Sequence, residues 1–388
     1  MSAAPARVLV VGGGVMGASI AYHLASRGAD VTLLERAALC SGPTRHSTAI
    51  VRLHYTQELL VRMAAHGLRV YRDFEGEVGA TAGFTQTGML FGVGEEERAL
   101  LEANVELGRG QGVDTVLVAA EDVHAVDPCV VADGMAFCYE AESGYCDPYL
   151  AARAYASAAE RAGARIEEGT SVESVGDGSV ETAAGLREGD AVVVAAGPWS
   201  ARLLEPFGYE LPLTAAPAEV GRYRLPKAFG TAPPAVADFS AAAVYFRLSA
   251  EPGFLEVGSL APEHADEPVD PDRPVEGARA ATLHSYAGAI AARLRGAENG
   301  HWRGAWTGIY DVTPDWQPVI DRVPGTDRVY VAAGFSGHGF KLAPAVGLSI
   351  AELVLDGRAQ TFDLGLLNAE RFARGELVEG RYGYSVLG

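Results

Sequence analysis

Three glycines close to the N-terminus have the spacing that binds the phosphates of a dinucleotide. The apolar run Val8–Val11 leads into Gly12, Gly14 and Gly17, and a helical pattern follows. Gly12 permits a tight turn, Gly14 lets a pyrophosphate approach the backbone, and Gly17 lets the helix pack closely on the strand. Phosphates can sit on the free N–H groups at the helix start, and Glu35, after the next apolar run, can accept hydrogen bonds from ribose hydroxyls. This order predicts a Rossmann-like βαβ unit rather than a chance glycine turn.

The same order of elements recurs near the C-terminus. The apolar run Arg328–Ala333 is followed by a glycine-rich turn, Gly334–Gly339, and by a helical pattern over Leu342–Leu355. A flavin needs positive potential at its N1–C2=O edge, which gains negative charge on reduction, and a helix start with exposed N–H groups supplies it. A nicotinamide-dependent dehydrogenase has no need of this second unit, so the two units together favour FAD over NAD.

The sequence between these units indicates a second domain. Asp190–Ala196 is a fully apolar run, typical of a buried parallel strand. Residues 210–260 alternate as antiparallel strands do, and residues 262–276 form a polar, proline-rich connection. We predict an α/β fold in which a discontinuous, Rossmann-like FAD-binding domain holds an inserted α+β substrate domain built on a mainly antiparallel sheet. The predicted boundaries assign residues 1–83, 142–210 and 305–388 to the FAD-binding domain, and residues 84–141 and 211–304 to the substrate-binding domain.

Composition excludes several kinds of partner. A chain of 388 residues exceeds what one hydrophobic core usually serves, which also favours two domains. The formal charge of −19 argues against nucleic acid and anionic membrane surfaces. No apolar run approaches a membrane-spanning length, the first residues lack the apolar region of a signal peptide, and the four cysteines have neither CxxC spacing nor a disulfide framework. We therefore expect a cytoplasmic protein without a metal site.

Six motifs in chain order resemble one family of flavoproteins. They are GGGVMG with Glu35, GPTRHSTAIVRLHY, SGYCDPYLAARAYASAAERAGA, VVVAAGPWS, YDVTPDWQPVID and VAAGFSGHGFKLAPAVG. With them the chain resembles the FAD-dependent amine oxidoreductases of the D-amino-acid oxidase superfamily, in the branch of sarcosine oxidase and dimethylglycine dehydrogenase. The resemblance spans Val8 to Gly357 and implies FAD, a two-domain fold, and oxidation of a C–N bond by hydride transfer to the flavin.

The resemblance also implies which residues bind substrate. Arg52, in RLHY, and Lys341, in GFSGHGFK, coincide with positions that bind the substrate carboxylate over the flavin in sarcosine oxidases. A guanidinium and an ammonium group suit a carboxylate, and fixing it would place the reacting C–H against flavin N5. Tyr310 corresponds to a pocket tyrosine, and His338 is expected to face the flavin edge or bond the backbone rather than act as a base. The alternatives are a surface charge at Arg52, a phosphate or flavin contact at Lys341, and a core aromatic at Tyr310.

The motifs further assign the residues that bind the cofactor. They are Gly12, Gly14, Val15, Met16, Gly17, Glu35, Arg36, Ser41, Thr44, Arg45, His46, Thr48, Val172, Ala196, Gly197, Trp199, Gly308, Gly334, Ser336, Gly337, His338, Gly339 and Lys341. A non-covalent flavin is favoured, and the alternative is a histidyl link through His46, by analogy with dimethylglycine dehydrogenases. The thioether link of monomeric sarcosine oxidases is excluded at its usual position, since WTGIYDVTPD contains no cysteine.

Departures from the sarcosine oxidases concern the acceptor and the substrate. Glu256, in GFLEVGS, stands at or near the lysine that promotes reaction with oxygen, Ala49 replaces an arginine before Arg52, and GSL replaces a histidine that follows the same strand. The acceptor is therefore molecular oxygen or another electron acceptor, and sarcosine is not assured as the substrate. If Glu256 faces the pocket, its carboxylate would suit a cationic amine.

The predicted function is oxidation of a small, carboxylate-bearing secondary, N-methylated or primary amine to an imine that water hydrolyses. One alternative is a desaturase-like enzyme that acts on a specialised amino-acid-derived metabolite. An alternative of a different class is a non-catalytic subunit that holds FAD within an assembly. Retention of both Arg52 and Lys341 argues against it, since a scaffold has no use for a carboxylate clamp.

Overall fold

The computed structural model describes residues 5–226, 233–240, 243–261, 267–273 and 275–382. Within these ranges the strands, in chain order, are β1 (Arg7–Val11), β2 (Asp30–Glu35), β3 (Ile50–Val51), β4 (Thr85–Gln86), β5 (Met89–Gly94), β6 (Val116–Val118), β7 (Met135–Glu140), β8 (Gly144–Tyr145), β9 (Arg165–Glu168), β10 (Val172–Gly176), β11 (Ser179–Thr182), β12 (Gly185–Glu188), β13 (Ala191–Val194), β14 (Thr214–Arg224), β15 (Ala235–Asp238), β16 (Val244–Leu248), β17 (Phe254–Ser259), β18 (His301–Val312), β19 (Val319–Arg322) and β20 (Val329–Ala333). The α-helices are α1 (Val15–Ser26), α2 (Glu58–Arg72), α3 (Phe74–Val78), α4 (Arg98–Gly110), α5 (Val123–Val126), α6 (Pro148–Arg161), α7 (Ser200–Leu204), α8 (Ala280–Arg293), α9 (Ala343–Asp356) and α10 (Arg371–Arg374).

Both glycine-rich units contribute to one sheet of six strands, in the order β19-β20-β13-β1-β2-β9. Strand β1 pairs in parallel with β2 and β13, and β13 pairs in parallel with β20. Alternate residues of β1 enter two cores: Val8 and Val10 pack with the buried face of α1, and Leu9 and Val11 pack with residues of β13 and β20. Burial of both faces explains why these strands read as continuous apolar runs, and it confirms the predicted Rossmann-like α/β fold.

The second large sheet has eight strands, in the order β18-β14-β17-β16-β15-β5-β7-β6. Its pairings are antiparallel except for β15 with β5, and α8 contributes to the apolar core on one face. This is the mainly antiparallel sheet that the alternating pattern predicts. Strand β18 runs across the predicted boundary at residue 305 and stays paired with β14 as far as Val312. The division into two domains stays a prediction.

Two predicted elements are interrupted. Residues 84–93, expected as one strand, form β4 and β5, which are separated at Gly88, a glycine with φ of +70°. The helix expected from Glu58 to about Glu77 breaks at Asp73 into α2 and α3. The predicted connection at residues 262–276 is described only in part, and residues 262–266 and 274 lie outside the described ranges.

None of the described helices is both long and apolar enough to cross a bilayer. In the described part of the chain, no cluster of three or more His, Cys, Asp or Glu side chains could hold a metal ion.

Candidate cofactor and substrate site

A cavity of about 750 Å³ is lined by residues of both large sheets. Its volume is typical of pockets that hold cofactors or other small molecules. One part of the lining comes from the turn between β1 and α1, and another comes from β18 and the turn after β20. The fold therefore brings the two glycine-rich units, more than three hundred residues apart in sequence, to one site.

The turn between β1 and α1 is shaped so that only glycine fits. Gly12 has a φ of +111°, and a Cβ placed there would lie 2.4 Å from the carbonyl oxygen of Ala195. A Cβ on Gly17 would lie 1.9 Å from the carbonyl oxygen of Gly12, so α1 packs directly on the turn. Gly14 precedes the first residue of α1 and lines the cavity. The N–H groups at this helix start are the ones that the glycine spacing predicts as a phosphate-binding site.

Glu35 lies at the end of β2 and lines the same cavity. Its Oε2 accepts a hydrogen bond from Gly13 N at 2.6 Å, and its Oε1 accepts one from Ala37 N at 2.9 Å. A carboxylate has about four acceptor positions, so these two hydrogen bonds leave about two acceptor positions on Glu35. The next residue, Arg36, stacks on the Trp199 ring, with the guanidinium carbon 3.7 Å from the ring centroid.

Most residues predicted to bind the cofactor line this cavity. These are Gly12, Gly14, Val15, Met16, Glu35, Arg36, Ser41, Thr44, His46, Thr48, Val172, Ala196, Gly197, Trp199, Gly308, Gly337, His338, Gly339 and Lys341. Among the described residues, Gly17, Arg45, Gly334 and Ser336 fall outside the lining. Gly334 and Ser336 shape the adjoining turn, since Ser336 Oγ donates to Gly334 O at 3.2 Å.

Asp311 anchors the turn after β20. Its Oδ2 accepts a hydrogen bond from Gly334 N at 2.8 Å, and its carbonyl oxygen accepts one from Ser336 N at 3.1 Å. Burial raises the pKa of the Asp311 carboxyl to about 6. Gly337, with φ of +82°, faces the ring of Tyr310, and a Cβ at this position would lie 2.6 Å from Tyr310 Cζ. Tyr310 therefore needs a glycine at this point of the turn.

Arg52 and Lys341 lie around one aromatic ring. Their exposed fractions are only 7% and 4%, and both line the cavity. The Arg52 guanidinium carbon is 4.3 Å from the centroid of the Tyr55 ring, and Lys341 Nζ is 3.5 Å from the Tyr55 hydroxyl. Lys341 Nζ also donates to His338 O at 2.9 Å, and Arg52 Nη1 donates to His54 O.

Burial and the nearby charges of Arg52 and Glu140 act on the pKa of Lys341, but not all in the same direction. Burial lowers the pKa of Lys341 well below its ordinary value, the charge of Arg52 lowers it further, and Glu140 opposes both effects. Glu140 is itself 1% exposed, and its Oε2 accepts hydrogen bonds from Leu53 N at 2.9 Å and Ser143 Oγ at 2.7 Å. Burial raises the pKa of the Glu140 carboxyl. Within the described part of the chain, this carboxyl is the group whose negative charge acts on Lys341.

His338 and Tyr310 add uncharged polar groups. Burial lowers the pKa of His338 to about 3, so its imidazole is neutral at pH 7. Its Nε2 lies 2.8 Å from Trp316 O, a pure acceptor, so Nε2 carries the proton and Nδ1 faces the Tyr55 hydroxyl at 3.3 Å as an acceptor. Burial raises the pKa of Tyr310, whose hydroxyl bonds that of Tyr245.

Glu256 does not meet the condition of facing the pocket. It lies outside the described residues that line the cavity, and its Oε2 is 2.7 Å from Nη2 of Arg247 on the neighbouring strand. Arg247 Nε in turn donates to Thr48 O at 2.7 Å. The expectation of a carboxylate offered to a cationic amine is therefore corrected, because the antiparallel register pairs Glu256 with Arg247.

Several site residues were missed by the sequence reasoning. Tyr55 follows Arg52 by three positions in the RLHY motif. Its place in that motif is the one sequence feature that could have identified it as a site residue. Glu140 and Tyr245 carry no comparable local signal. Asp272 and Pro271 also line the cavity, and the proline-rich composition of their segment indicated only a connection.

Comparison with known proteins gives consistent matches over nearly the whole chain. A family model described as DAO, FAD dependent oxidoreductase, matches residues 7–353. Peroxisomal sarcosine oxidase of Homo sapiens is 28% identical over 385 residues, which cover 94% of this chain and 95% of the relative. The crystal structure of L-proline dehydrogenase from P. horikoshii superposes with a TM-score of 0.87 at 28% identity, covering 96% of this chain and 99% of that one. That of glycine oxidase from Geobacillus kaustophilus gives 0.81 at 26% identity, covering 94% and 99%.

Proposed function

Because the chain belongs to the DAO family of FAD-dependent oxidoreductases, we propose that it oxidises the C–N bond of a small amine that carries a carboxylate. Membership confirms the resemblance that the motifs indicate, and with it an enzyme and FAD as its cofactor. The amine, the role of each site residue and the electron acceptor belong to the proposal.

The residues that line the cavity fit FAD. A Cβ at Gly12 would meet Ala195 O, and one at Gly14 would lie 3.0 Å from Thr44 Oγ1, so the glycines leave room for a pyrophosphate on the start of α1. Glu35 keeps acceptor positions for the ribose, and Gly337 and Gly339 of the turn at 334–339 line the cavity together with Lys341. When bound, the flavin supplies an acceptor for the hydride that leaves the carbon next to the amine nitrogen.

One observation carries the choice of substrate class. Arg52 and Lys341 place two basic groups in a buried wall of the cavity, both next to the Tyr55 ring, and Glu140, which is bonded to Leu53 N, supplies the opposing charge. Buried charges are costly unless they are compensated. A substrate carboxylate would add negative charge at this wall, with a guanidinium suited to bidentate contact and an ammonium suited to a single strong hydrogen bond.

The clamp would act by orientation. Holding the carboxylate fixes the neighbouring carbon, and this replaces a search over many orientations by one reactive geometry. His338 is neutral, and the pKa of Tyr310 is raised by burial, so we do not assign either residue as a base and propose that the amine reacts in its neutral form. Burial lowers the pKa of Lys341, and a carboxylate bound beside it would raise that pKa again, because a neighbouring anion favours the charged ammonium.

The product of this reaction is an imine, which water hydrolyses to a carbonyl compound and an amine. The electrons pass finally to molecular oxygen or to another acceptor. Both acceptors stay within the proposal, since Glu256, paired with Arg247, stands at or near the position where the resemblance expects an oxygen-promoting lysine.

Anaerobic titration with candidate amines tests the proposal. Purified holoenzyme is mixed with sarcosine, glycine, and L- and D-proline, and the flavin absorbance is followed. We expect at least one carboxylate-bearing amine to bleach the flavin, and the same test in air then separates an oxidase from a dehydrogenase. If no amine of a broad amino-acid panel bleaches the flavin, the catalytic proposal fails and the non-catalytic alternative is favoured.

A further inference from the structure

The loop that carries Arg52 is held mainly by side chains. Strand β3 ends at Val51 and α2 begins at Glu58, and residues 52–57 between them belong to neither a strand nor a helix. Glu140 holds this loop at Leu53 N. Arg52 Nη1 donates to the carbonyl oxygen of His54 within the same loop. The position of the guanidinium therefore depends on where His54 is fixed.

The C-terminal tail, residues 376–382, helps to fix His54, whose imidazole also contacts Asn104 and Cys138. The His54 side chain is buried, and its Nε2 forms a hydrogen bond of 3.1 Å with the hydroxyl of Tyr382. The imidazole also stacks on Phe91, with centroids 4.8 Å apart. At the far end of the loop, Gln57 Nε2 donates to Glu379 O at 2.8 Å. The tail therefore contacts the Arg52 loop at two separate places.

The same tail is tied to the side of the site that carries Lys341. Val378 N donates to Asp315 Oδ2 at 3.1 Å. The residue after Asp315 is Trp316, whose carbonyl oxygen accepts the 2.8 Å hydrogen bond from His338 Nε2. His338 O accepts the hydrogen bond from Lys341 Nζ. The tail thus connects the backbone around both basic residues.

Tyr382 also belongs to the apolar cluster that forms one wall of the cavity. Its ring packs in a buried group that includes Phe239 and Tyr245, and both of these line the cavity. The ring and the hydroxyl of Tyr382 therefore do separate things: the ring fills the wall, and the hydroxyl holds His54.

We infer that Tyr382 is a positioning residue for substrate binding, which acts through His54 on Arg52 and sets the guanidinium against Lys341. This inference rests on the proposed function, because it assigns Arg52 to the substrate carboxylate. Tyr382 is not among the described residues that line the cavity, so loss of its hydroxyl should change carboxylate affinity without removing FAD.

Tyr382→Phe isolates the hydroxyl, because the ring that fills the wall is kept. The dissociation constant of the amine that bleaches the flavin, measured by anaerobic stopped flow, should rise roughly three- to tenfold, the effect of one lost hydrogen bond. FAD content and thermal midpoint should stay close to those of the wild type. Arg381→Ala is the matched control, since Arg381 is the exposed neighbour of Tyr382, and it should leave the dissociation constant unchanged.

A double-mutant cycle shows whether the effect passes through Arg52. Arg52→Lys removes the planar guanidinium, so Tyr382→Phe added to it should cause no further loss of affinity. A loss of equal size in both backgrounds overturns the inference. So does a Tyr382→Phe variant that binds the amine as the wild type does, or one that changes only FAD content or thermal midpoint.

Measuring acetate binding shows whether a negative result contradicts the positioning role of Tyr382 or the proposed function. Acetate carries the carboxylate but no oxidisable C–N bond, and its binding is followed by perturbation of the flavin spectrum. If no amine reduces the wild type but acetate affinity falls in Tyr382→Phe and not in Arg381→Ala, the proposed reaction fails and the positioning role stands. If the wild type binds neither acetate nor any amine, both fail.

Discussion

Replacing Lys341 by methionine removes one of the two proposed carboxylate contacts while keeping the length of the side chain. Lys341 Nζ donates to His338 O at 2.9 Å from a position that is 4% exposed. Methionine can fill this space without a charge. The variant therefore tests whether the Lys341 ammonium group binds substrate or whether the side chain only fills space in the wall of the site.

The expected loss follows from the kind of interaction removed. A hydrogen bond between charged groups contributes about 1.5–3 kcal/mol, and each 1.36 kcal/mol is a factor of ten. The dissociation constant of the reducing amine should therefore rise about 10- to 150-fold in Lys341→Met. FAD should remain bound, because the predicted phosphate and ribose contacts lie at Gly12, Gly14 and Glu35.

The pH dependence of binding gives a second signature of the same residue. The pKa of Lys341 in the free protein lies well below its ordinary value, and a bound carboxylate raises it. Between these two values binding takes up a proton, so carboxylate affinity falls as pH rises through that window, by up to about tenfold per pH unit. Lys341→Met should lack this slope.

Acetate titrations from pH 6 to pH 10 measure this slope without the titration of a substrate amine. Arg381→Ala serves as the control and should follow the wild type. Equal amine affinity in Lys341→Met and wild type, or identical pH slopes, would refute the carboxylate contact. Loss of FAD from Lys341→Met with unchanged affinity in the molecules that keep it would assign Lys341 to the cofactor.

Three further predictions concern the cofactor site and its supports. Between pH 4 and pH 7 the free energy of unfolding of the wild type should fall by about 2–3 kcal/mol relative to that of Asp311→Asn, because folding raises the Asp311 pKa from 3.8 to about 6. The folded wild type binds the extra proton between these values, so its stability falls as pH rises from 4 to 6. Thermal denaturation measures this trend, and a difference between the two proteins that does not change with pH would contradict it. Asp272→Asn should speed FAD release roughly two- to fivefold at low salt and less in 1 M NaCl, because it removes the 2.9 Å ion pair that holds Arg36 at the wall of the cavity. Glu276→Gln removes a nearby exposed charge as its control, and equal release rates in Asp272→Asn and wild type would refute the role. Denaturation and filtration of the wild type should release the flavin, whereas flavin retained by the wild type and lost in His46→Ala would establish a histidyl link.

The parts of the site that the sequence predicts are those with a local pattern. The turn at Gly12–Gly17 and the turn at Gly334–Gly339 are recognisable because strand, glycine and helix follow each other directly along the chain. Arg52 and Lys341 are identifiable because each lies within a motif of a known family. Both basic residues line one cavity with the two turns, although their roles stay predictions.

The parts that the sequence does not predict depend on contacts between distant segments. Glu140 bonds Leu53 across 87 positions, and Tyr382 bonds His54 across 328. No periodicity or spacing in the sequence predicts either hydrogen bond, because each contact exists only after both sheets have formed. For Glu256, the sequence motif indicates the position of a functional lysine in the family. Its pairing with Arg247 is not predictable from the motif, because that pairing depends on strand register.

The most direct test of the central claim compares an amino acid with the same amine lacking its carboxylate. L-Proline with pyrrolidine and sarcosine with dimethylamine are such pairs, and anaerobic stopped flow gives the dissociation constant for each flavin reduction. If Arg52 and Lys341 hold the carboxylate, the amino acid of the reactive pair should bind at least about 100-fold more tightly than its counterpart, from two charge-assisted hydrogen bonds. Equal affinity and equal reduction rates for both members would contradict the carboxylate clamp.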